Sequence, residues 1–454
     1  MDISKGINHI KQKKFVTALN FFLKLEKSHK QDSKLFFYLG IIFYELGDFK
    51  KSINYYEKIL EKNPTSLNAL YNLAIVKQSI GETDSAKKIY NDLKKLDVDK
   101  ITPYYGLFTM QPEYLLEEDF KKILLLKERK NLPLYDLGLI NFLLSKREKK
   151  NKIFENEIQH LKKFHSCVFD SKYEYNMSAR FYYKHIINKN FNKIEFNGNK
   201  EFNNGSNTYS PIFIIGLPRS GSTLIESILK SSKENIHSVG ECNVINVSIL
   251  EQIGPKIYIK NFNIENFKFE INREVFNKSV SNRYLQFNLN EKANKIFIDK
   301  SLENFFNIEI ITNIFPNAKF IHTFRNPADS VISIYQSMLS ELAWAHSIED
   351  ILDYMDHYFK AINYFKKKYS QNFIDIDLEK FSVAPEKSTK DIYKFCNLTW
   401  TEHSLNFYRR KDLFSKTLSY TQIRNKITKY DPNKYKNYYY LLEKYREKYK
   451  WLII

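Results

Sequence analysis

Small and apolar residues recur every 34 positions along the first hundred residues. One copy of the pattern is Gly47, Phe49, Ser52, Tyr56 and Ile59. It recurs 34 residues later as Gly81, Thr83, Ala86, Tyr90 and Leu93, and 34 residues earlier as Lys13, Phe15, Ala18, Phe22 and Leu25. Such a period is typical of stacked helix pairs, each of which buries its apolar face only against its neighbours. We therefore predict three helix pairs over roughly residues 1–98, the first with a truncated leading helix.

The small and aromatic residues in the second helix of each copy resemble those of the tetratricopeptide repeat. The resemblance implies a concave groove that holds a peptide or partner protein; a scaffold packed on the rest of the chain is the alternative. Residues 100–200 stay helical in pattern without the period, with amphipathic helices predicted at 136–144 and 156–164. The polar segment 197–210 predicts a linker.

A strand, a glycine-bounded loop and a helix follow in PIFIIGLPRSGSTLIESILK, residues 211–230. Residues 212–215 predict a buried parallel strand, 216–222 a turn and 223–230 a helix. The same order of strand and helix recurs in 297–336, with strands predicted at 295–299 and 321–324. A glycine loop before a helix binds anions, because free backbone N–H groups and the helix dipole converge on one phosphate. The sequence thus predicts helical repeats followed by an α/β domain with a mostly parallel sheet.

The loop differs from that of nucleotide triphosphatases at one position. Gly216 and Gly221 have the spacing of Gly-x4-Gly-Lys-Ser/Thr, and Thr223 stands where the magnesium-binding hydroxyl would be. Ser222 replaces the lysine, so a γ-phosphate would lose its main charge partner. A P-loop kinase acting on a small molecule is the alternative, with Asp299 as the candidate magnesium ligand.

The segment PRSGST resembles the 5′-phosphosulfate loop of sulfotransferases, including tyrosylprotein sulfotransferases and bacterial enzymes that carry tetratricopeptide repeats. The resemblance covers residues 211–430. It implies a P-loop-like fold and 3′-phosphoadenosine 5′-phosphosulfate as the co-substrate. In the family an Arg and a Ser eight residues apart, here Arg325 and Ser333, clamp the donor's 3′-phosphate. The donor-binding residues that it implies are Arg219, Ser220, Gly221, Ser222, Thr223, Arg325 and Ser333, and, from SYTQIRNKI at 419–427, Ser419, Arg424 and Lys426.

The same resemblance implies the catalytic residues Arg219, Lys300 and Glu241. Lys300 would contact the bridging oxygen of the phosphosulfate, and Glu241 would accept the proton of the acceptor hydroxyl. Some relatives have two consecutive Glu here, whereas Cys242 follows Glu241, so His237 is the alternative base. His346 is a weaker candidate. Likewise, Ile427 stands where relatives have a Pro. No metal is expected, because the transferred sulfuryl group carries one negative charge.

Together these features divide the chain into a tetratricopeptide-repeat domain (1–125), a helical connecting region with linker (126–205) and a sulfotransferase domain (206–454). The expected reaction releases adenosine 3′,5′-bisphosphate from the donor by in-line displacement. The acceptor hydroxyl could belong to a protein tyrosine held by the repeats. A repeat-based adaptor with an inactive sulfotransferase-like domain is the non-enzyme alternative.

The composition of the chain limits the classes of binding partner and the cellular location that we expect. The net charge of +19 is spread along a chain rich in Lys, of whose 71 basic residues only 11 are Arg, so we do not expect nucleic-acid binding. An Arg in such a chain is more informative than a Lys about bidentate anion contacts. Three cysteines without regular spacing fit a reducing compartment. With no apolar run of signal or spanning length, we expect a cytoplasmic protein without a membrane span.

Overall fold

The structure, a computed structural model, describes residues 2–29, 31–198, 209–234, 236–259, 262–287, 295–410 and 424–453. The chain divides into two compact units. The first contains Met1–Cys167 and Arg410–Arg424, and the second contains Val168–Arg409 and Asn425–Ile454. Among the described residues, every helix is too short or too polar to cross a bilayer.

The first unit is helical. Its helices in the described residues are α1 (Ser4–Lys11), α2 (Phe15–Ser28), α3 (Ser33–Glu45), α4 (Phe49–Lys62), α5 (Leu67–Ile80), α6 (Thr83–Leu96), α7 (Thr102–Met110), α8 (Glu117–Lys127), α9 (Leu134–Lys150) and α10 (Phe154–Ser171), which continues into the second unit. The pairs α1–α2, α3–α4 and α5–α6 coincide with the three predicted repeats, so the prediction of N-terminal helical repeats is confirmed. Helix α1 has 8 residues against 13 in α3 and 14 in α5, as expected for a truncated leading helix.

The recurring small and aromatic residues pack the two helices of each pair together. A Cβ atom added to Gly40 on α3 would lie 2.7 Å from the ring of Tyr56 on α4. Gly6 meets Phe22 in the same way, at 2.6 Å. Ser52 also donates a hydrogen bond of 2.7 Å to the Gly40 carbonyl. A small residue on one helix thus admits an aromatic ring from the next, which explains why both recur at the same period.

The turn inside each helix pair has a left-handed backbone. The φ angle is 55° at Lys13, 81° at Gly47 and 88° at Gly81, the three positions aligned by the 34-residue period. Glycine adopts this conformation without a Cβ clash, whereas a lysine is strained there. The first repeat therefore keeps the turn although it lacks the glycine.

The second unit combines a parallel sheet with helices. Its strands are β1 (Glu195–Asn197), β2 (Ile212–Gly216), β3 (His237–Ser238), β4 (Glu270–Asn272), β5 (Phe297–Asp299), β6 (Lys319–Phe324) and β7 (Phe373–Asp377). Its helices are α11 (Tyr173–Phe181), α12 (Asn188–Asn190), α13 (Ser222–Lys230), α14 (Val244–Ile257), α15 (Arg273–Leu285), α16 (Ile308–Ile314), α17 (Pro327–Tyr335), α18 (Ile348–Lys368), α19 (Leu378–Val383) and α20 (Pro385–Cys396). A π-helical turn, Tyr182–Ile187, joins α11 to α12, and 3₁₀ segments include Leu302–Phe306, Ala343–His346, Glu402–Arg409 and Lys436–Leu441.

The main sheet has the strand order β3-β5-β2-β6-β7, and every pair in it is parallel. The central strand, β2, is buried at all five positions. A strand covered on both faces is read from a continuous apolar run and not from alternation, which is why residues 212–215 could be recognised. The prediction of an α/β domain with a mostly parallel sheet is confirmed. The short strands β1 and β4 form a separate parallel pair.

The predicted elements around β2 are present, with ends shifted by at most two residues. The helix predicted at 223–230 is Ser222–Lys230, and the strands predicted at 295–299 and 321–324 are Phe297–Asp299 and Lys319–Phe324. Strand β2 lies between β5 and β6, so the carboxyl ends of these three strands meet at one edge. Open parallel sheets bind ligands at such an edge, where the strand order reverses.

Candidate active site

The loop between β2 and α13 is shaped by two glycines. Gly216 has φ 143°, and a Cβ atom there would lie 2.2 Å from the Thr323 carbonyl oxygen on β6, so no side chain fits. Gly221, with φ 90°, is the N-cap of α13. Ser222 and Thr223 form the first turn of that helix, where backbone N–H groups have no intrahelical partner. The loop and the first turn of α13 thus have the backbone geometry by which helix N-termini bind anions.

Ser220 stabilises the loop from inside. It is buried, and its hydroxyl donates to the Leu217 carbonyl at 2.7 Å and lies 2.7 Å from Thr323 Oγ1. The side chain is thus engaged between the loop and β6. For a donor phosphate this leaves the backbone N–H of Ser220, in the same turn as those of Ser222 and Thr223.

Lys300 follows β5 directly and points at the first turns of α13. Its side chain is 1% exposed, and Nζ donates to Thr223 Oγ1 at 3.3 Å. Nζ also lies 2.8 Å from Glu241 Oε1 and 3.4 Å from Glu226 Oε2. The structure therefore brings Lys300, Thr223 and Glu241, three residues predicted from the sequence, into one cluster.

Two carboxylates hold the Lys300 ammonium in its charged form. Burial alone would lower the pKa of Lys300, but Glu226 and Glu241 outweigh it, so the net pKa is raised. Burial would raise the pKa of Glu226, but Lys300, Lys230 and a 2.6 Å hydrogen bond from Ser238 together lower it. The cluster thus carries one positive and two negative charges, with the cation innermost.

Glu241 is the member of this cluster that reaches solvent. Its side chain is 48% exposed, against 14% for that of Glu226. Gly240, with φ 63°, precedes it, and the Gly240 carbonyl accepts a 2.9 Å hydrogen bond from the Lys300 backbone. Glu241 can therefore contact a group that enters from solvent while it also contacts Lys300.

The two candidate histidines make other contacts. His237 lies on the edge strand β3, where burial is the main influence lowering its pKa and its ring interacts with the Phe287 backbone. His346 is buried beside Phe169, and burial lowers its pKa to about 4. Among the described residues, no hydrogen bond joins either ring to Lys300, whereas Glu241 contacts its ammonium at 2.8 Å.

Arg325 and Ser333 lie at the second predicted anion position. Arg325 follows β6 and donates to the Asp329 carbonyl at 2.9 Å, and Ser333 lies inside α17 with 4% exposure. Tyr435 connects them, because its hydroxyl donates to Ser333 Oγ at 3.2 Å and its ring lies 5.3 Å from the Arg325 guanidinium. The predicted pair is thus brought together around a tyrosine from another part of the chain.

Arg219 is close enough to Arg325 and Tyr435 for both to influence its pKa. Burial lowers its pKa, Tyr435 opposes that shift, and the charge of Arg325 adds to it. Arg219 also adopts a left-handed backbone, with φ 68°, which costs a non-glycine residue about 1–3 kcal/mol. Two buried guanidinium groups whose charges repel each other are stabilised by an anion bound between them.

Residues 430–439 contact α17 by donating hydrogen bonds to a buried carboxylate on that helix. Asp329 accepts hydrogen bonds from Tyr439, at 2.6 Å, and from Tyr430. Burial raises the pKa of Asp329. Tyr430, Tyr435 and Tyr439 therefore fix this segment over the helix that carries Ser333.

The three donor contacts predicted near 419–427 are not brought together in the described residues. Ser419 lies outside them. Arg424 belongs to the first unit, where it donates to the Ser79 carbonyl at 3.3 Å. Lys426 is exposed in the second unit. Their roles in donor binding remain predictions.

The Asp299 carboxylate is engaged in the interior of the sheet. It accepts hydrogen bonds from Tyr284 at 2.7 Å, from the Ser301 backbone at 2.7 Å and from Cys242 at 3.2 Å. Asp299 is fully buried, and burial raises its pKa, so it lacks the open oxygens of a magnesium ligand. Among the described residues, no group of three His, Cys, Asp or Glu is placed to hold a metal ion.

Two residues of the site, Glu226 and Tyr435, were not predicted. Glu226 lies three positions after Thr223 on one face of α13, a spacing visible in the sequence. That spacing alone did not indicate which lysine the face meets. Tyr435 belongs to a tyrosine-rich segment with no recognisable motif, so no sequence signal marked it.

The comparison with protein families agrees with this geometry. Residues 211–402 match the model of the sulfotransferase family, and this range contains the loop, Glu241, Lys300, Arg325 and Ser333. These residues form a sulfotransferase-family domain. Residues 43–107 match the tetratricopeptide repeat.

Two curated proteins match parts of this chain. An uncharacterized protein of Aquifex aeolicus (strain VF5) is 26% identical over 400 residues, or 83% of this chain. Photosystem I assembly protein Ycf3 of Acaryochloris marina is 37% identical over 60 residues, or 13% of this chain. The chain spans about half of the length of the first, 49%, and 36% of the second.

Two solved sulfotransferase structures are distantly similar to this chain. Sulfotransferase STF1 from Mycobacterium tuberculosis H37Rv is 12% identical, with a TM-score of 0.32 over 68% of this chain and 98% of that chain. The sulfotransferase domain from the Synechococcus PCC 7002 olefin synthase is 17% identical, with a TM-score of 0.34 over 50% and 88%. These likenesses are too distant to assign any residue a role.

Proposed function

We propose that the second unit transfers a sulfuryl group from 3′-phosphoadenosine 5′-phosphosulfate to an acceptor hydroxyl and releases adenosine 3′,5′-bisphosphate. One observation carries this proposal. The buried Lys300 ammonium lies against the N-terminus of α13 and against Glu241, a partly exposed carboxylate. A cation suited to a leaving oxygen and a carboxylate suited to accept the proton of an entering hydroxyl are thus next to each other.

The donor has phosphate groups at two ends, and the domain offers two anion positions, one at the loop after β2 and one at Arg325 and Ser333. Backbone N–H groups of residues 219–223 and the Arg219 guanidinium suit the 5′-phosphosulfate. Arg325 and Ser333 suit the 3′-phosphate, with one bidentate cation and one hydroxyl donor. Neither position requires a metal to offset the charge of the donor.

The reaction is then a single in-line displacement. The acceptor oxygen attacks sulfur as Glu241 takes its proton, and the bond between sulfur and the bridging oxygen breaks. Lys300 stabilises the negative charge that builds on the departing oxygen. The hydrogen bond of 2.8 Å from Lys300 Nζ to Glu241 keeps the cation next to the base.

The wider setting is also part of the proposal. The tetratricopeptide repeats are suited to hold a protein, and a tyrosine hydroxyl of such a partner is one candidate acceptor. We also propose a cytoplasmic location and a relationship to the tyrosylprotein sulfotransferases. Labelled donor, incubated with the protein and a cell extract, identifies the fraction that accepts the sulfuryl group.

The test of the donor is a thermal scan with adenosine 3′,5′-bisphosphate. At a ligand concentration of ~100 Kd, the gain in unfolding free energy is about 2.7 kcal/mol, which raises the unfolding temperature by several degrees. AMP, which lacks the 3′-phosphate, is the matched control and gives a smaller shift. A shift with ATP and magnesium, and none with the bisphosphate, would indicate a kinase instead.

A further inference from the structure

A cavity of about 360 Å³ lies within the second unit. Its walls come from α11, the following π-helical turn, α14, the segment Leu302–Phe306 and residues 341–344. The first three elements have no assigned role in the donor site. Pockets of this size accommodate small organic molecules.

The wall of the cavity is rich in aromatic side chains. Seven of its 17 lining residues are aromatic: Tyr175, Tyr182, Tyr183, Tyr258, Phe306, Trp344 and Tyr354. Trp344 and Tyr354 are buried and stack with ring centroids 3.8 Å apart and an interplanar angle of 5°. Tyr175 and Tyr258 are 54% and 48% exposed, so they belong to the mouth. Ring faces carry partial negative charge, so a lining rich in aromatic side chains favours a positively charged ligand.

The charged groups of the cavity are also negative. Its lining includes Glu303 and Glu341 and no Lys, Arg or His among the described residues, in a protein with 71 Lys and Arg. Glu341 already forms an ion pair with Lys172. Glu303 accepts hydrogen bonds from Tyr354, at 2.9 Å, and Trp344, at 3.2 Å, both at the same oxygen. It forms no ion pair within the described part of the chain.

Two acceptors of the cavity are thus short of partners. Burial raises the pKa of Glu303, and the two hydrogen bonds only partly oppose this, because no cation contributes. Asn307 is 2% exposed and lines the same cavity, and its Oδ1 has no hydrogen-bond partner among the described residues. A bound N–H donor with a positive charge would compensate Glu303 and offer further hydrogen bonds.

We propose that this cavity binds an organic ammonium group and that the sulfuryl acceptor is a hydroxyl-bearing amine. Aromatic faces beside an uncompensated carboxylate favour a cation over a neutral or anionic ligand of the same shape. The second half of the proposal rests on the proposed function.

The cavity and the catalytic residues share two segments of chain. Glu303 comes three residues after Lys300, so their Cα atoms are at most about 11 Å apart. Asn246, in the cavity wall, comes five residues after Glu241. An amine held at Glu303 can thus extend a hydroxyl toward Glu241.

Three phenols that share a para-ethylphenol framework and differ in charge test the proposal: tyramine, para-ethylphenol and para-hydroxyphenylpropionate. Their affinities are measured by calorimetry with adenosine 3′,5′-bisphosphate present. Tyramine is expected to bind at least about tenfold more tightly than para-ethylphenol, and the propionate most weakly. Glu303→Gln keeps an acceptor for Tyr354 and Trp344 and should remove the preference for tyramine, while bisphosphate binding stays unchanged. Glu341→Gln is the matched control and should retain most of the preference.

Equal affinity of the wild-type protein for tyramine and para-ethylphenol would overturn the proposal, whether or not the variants fold. So would an equal loss of preference in Glu341→Gln and Glu303→Gln. Sulfuryl transfer to para-ethylphenol without any preference for the amine would refute the cation site and leave the proposed function standing. Charge-selective binding of tyramine, with label transferred from the donor to para-ethylphenol but not to tyramine, would refute the amine as acceptor and leave the proposed function standing.

Discussion

The hydroxyl of Tyr435 donates to Ser333 Oγ at 3.2 Å, although the two residues are 102 positions apart. A serine hydroxyl that accepts this bond keeps its own hydrogen for another acceptor. The same tyrosine ring supports the Arg325 guanidinium. Tyr435 therefore orients both groups of the proposed clamp for the donor's 3′-phosphate.

Tyr435→Phe tests this orientation. The phenylalanine keeps the ring under Arg325 and removes the bond to Ser333, so binding of adenosine 3′,5′-bisphosphate should weaken about fivefold, the worth of one hydrogen bond of ~1 kcal/mol. Calorimetric titration gives the affinity. In the Ser333→Ala background the same change should have almost no effect, because the two residues act as a unit.

Tyr439→Phe is the matched control for that experiment. It makes the same chemical change in the same segment, but at a hydroxyl bonded to Asp329 and not to Ser333. A similar loss of bisphosphate affinity in both variants would mean that the segment acts through its packing alone. Tighter binding in Tyr435→Phe would mean that the hydroxyl competes with the phosphate.

Arg325→Ala should impair donor binding much more than chemistry. The 3′-phosphate is remote from the transferred group, so its contact is about equal in the ground and transition states. Loss of one buried charge-assisted pair should cost about 2–4 kcal/mol, measured as a rise in KM for the donor with kcat little changed. Arg273→Ala, which removes an arginine packed over Phe196, serves as control. A collapse of kcat at unchanged KM would contradict the assignment.

Glu241→Gln should slow transfer by about 10²–10⁴-fold, because it removes the proton acceptor but keeps the size of the side chain. Bisphosphate affinity should barely change. The loss should shrink for acceptors with a more acidic hydroxyl, which need less help to ionise. Steady-state rates over a series of substituted phenols give this dependence. If the rate stays near wild type at every pH, His237→Ala is the next variant to measure.

Glu226→Gln should make the protein less sensitive to acid. The pKa of Glu226 lies below its ordinary value of 4.5 in the folded state, so its carboxylate stabilises the fold above pH 4.5. That contribution is lost as the pH falls through the folded pKa. Urea unfolding should show the variant about 2 kcal/mol less stable at pH 7, the worth of a hydrogen bond to a charged group. The difference between the two proteins should disappear once the pH has fallen below the folded-state pKa of Glu226; a constant difference would mean that Glu226 acts by packing.

Lys13→Gly should stabilise the first repeat. The lysine has φ 55°, at a cost of about 1–2 kcal/mol, while the glycine adds chain entropy worth about 0.5–1 kcal/mol. The net gain is thus up to about 1.5 kcal/mol in unfolding free energy, measured by denaturant titration. Gly47→Lys makes the reverse change at the equivalent turn and should destabilise. Equal stability of Lys13→Gly and the wild type would place the strain elsewhere.

The 34-residue period made the repeats predictable from the sequence, and continuous apolar runs made the sheet predictable, whereas the site was only partly so. Gly47 and Tyr56 recur at 34 residues because each helix pair solves the same packing problem. Lys300 and Glu241 could be selected only through the resemblance, since nothing local distinguishes one lysine among many. To predict the contact of Glu226, one would need to know that β2 pairs with β5, because this pairing places Lys300 beside α13. Such a contact depends on long-range register, for which a single sequence gives no signal.

The distance along the chain between Ser333 and Tyr435 also sets an order in time. At roughly 5–20 residues per second, a ribosome adds the intervening 102 residues in about 5–20 s. Strand β7, which pairs with β6, is synthesised well before Tyr435. The nascent protein can therefore complete its sheet while Ser333 still lacks its tyrosine. Competence to bind the donor's 3′-phosphate should arise seconds after the sheet forms, as a separate and later event of biosynthesis.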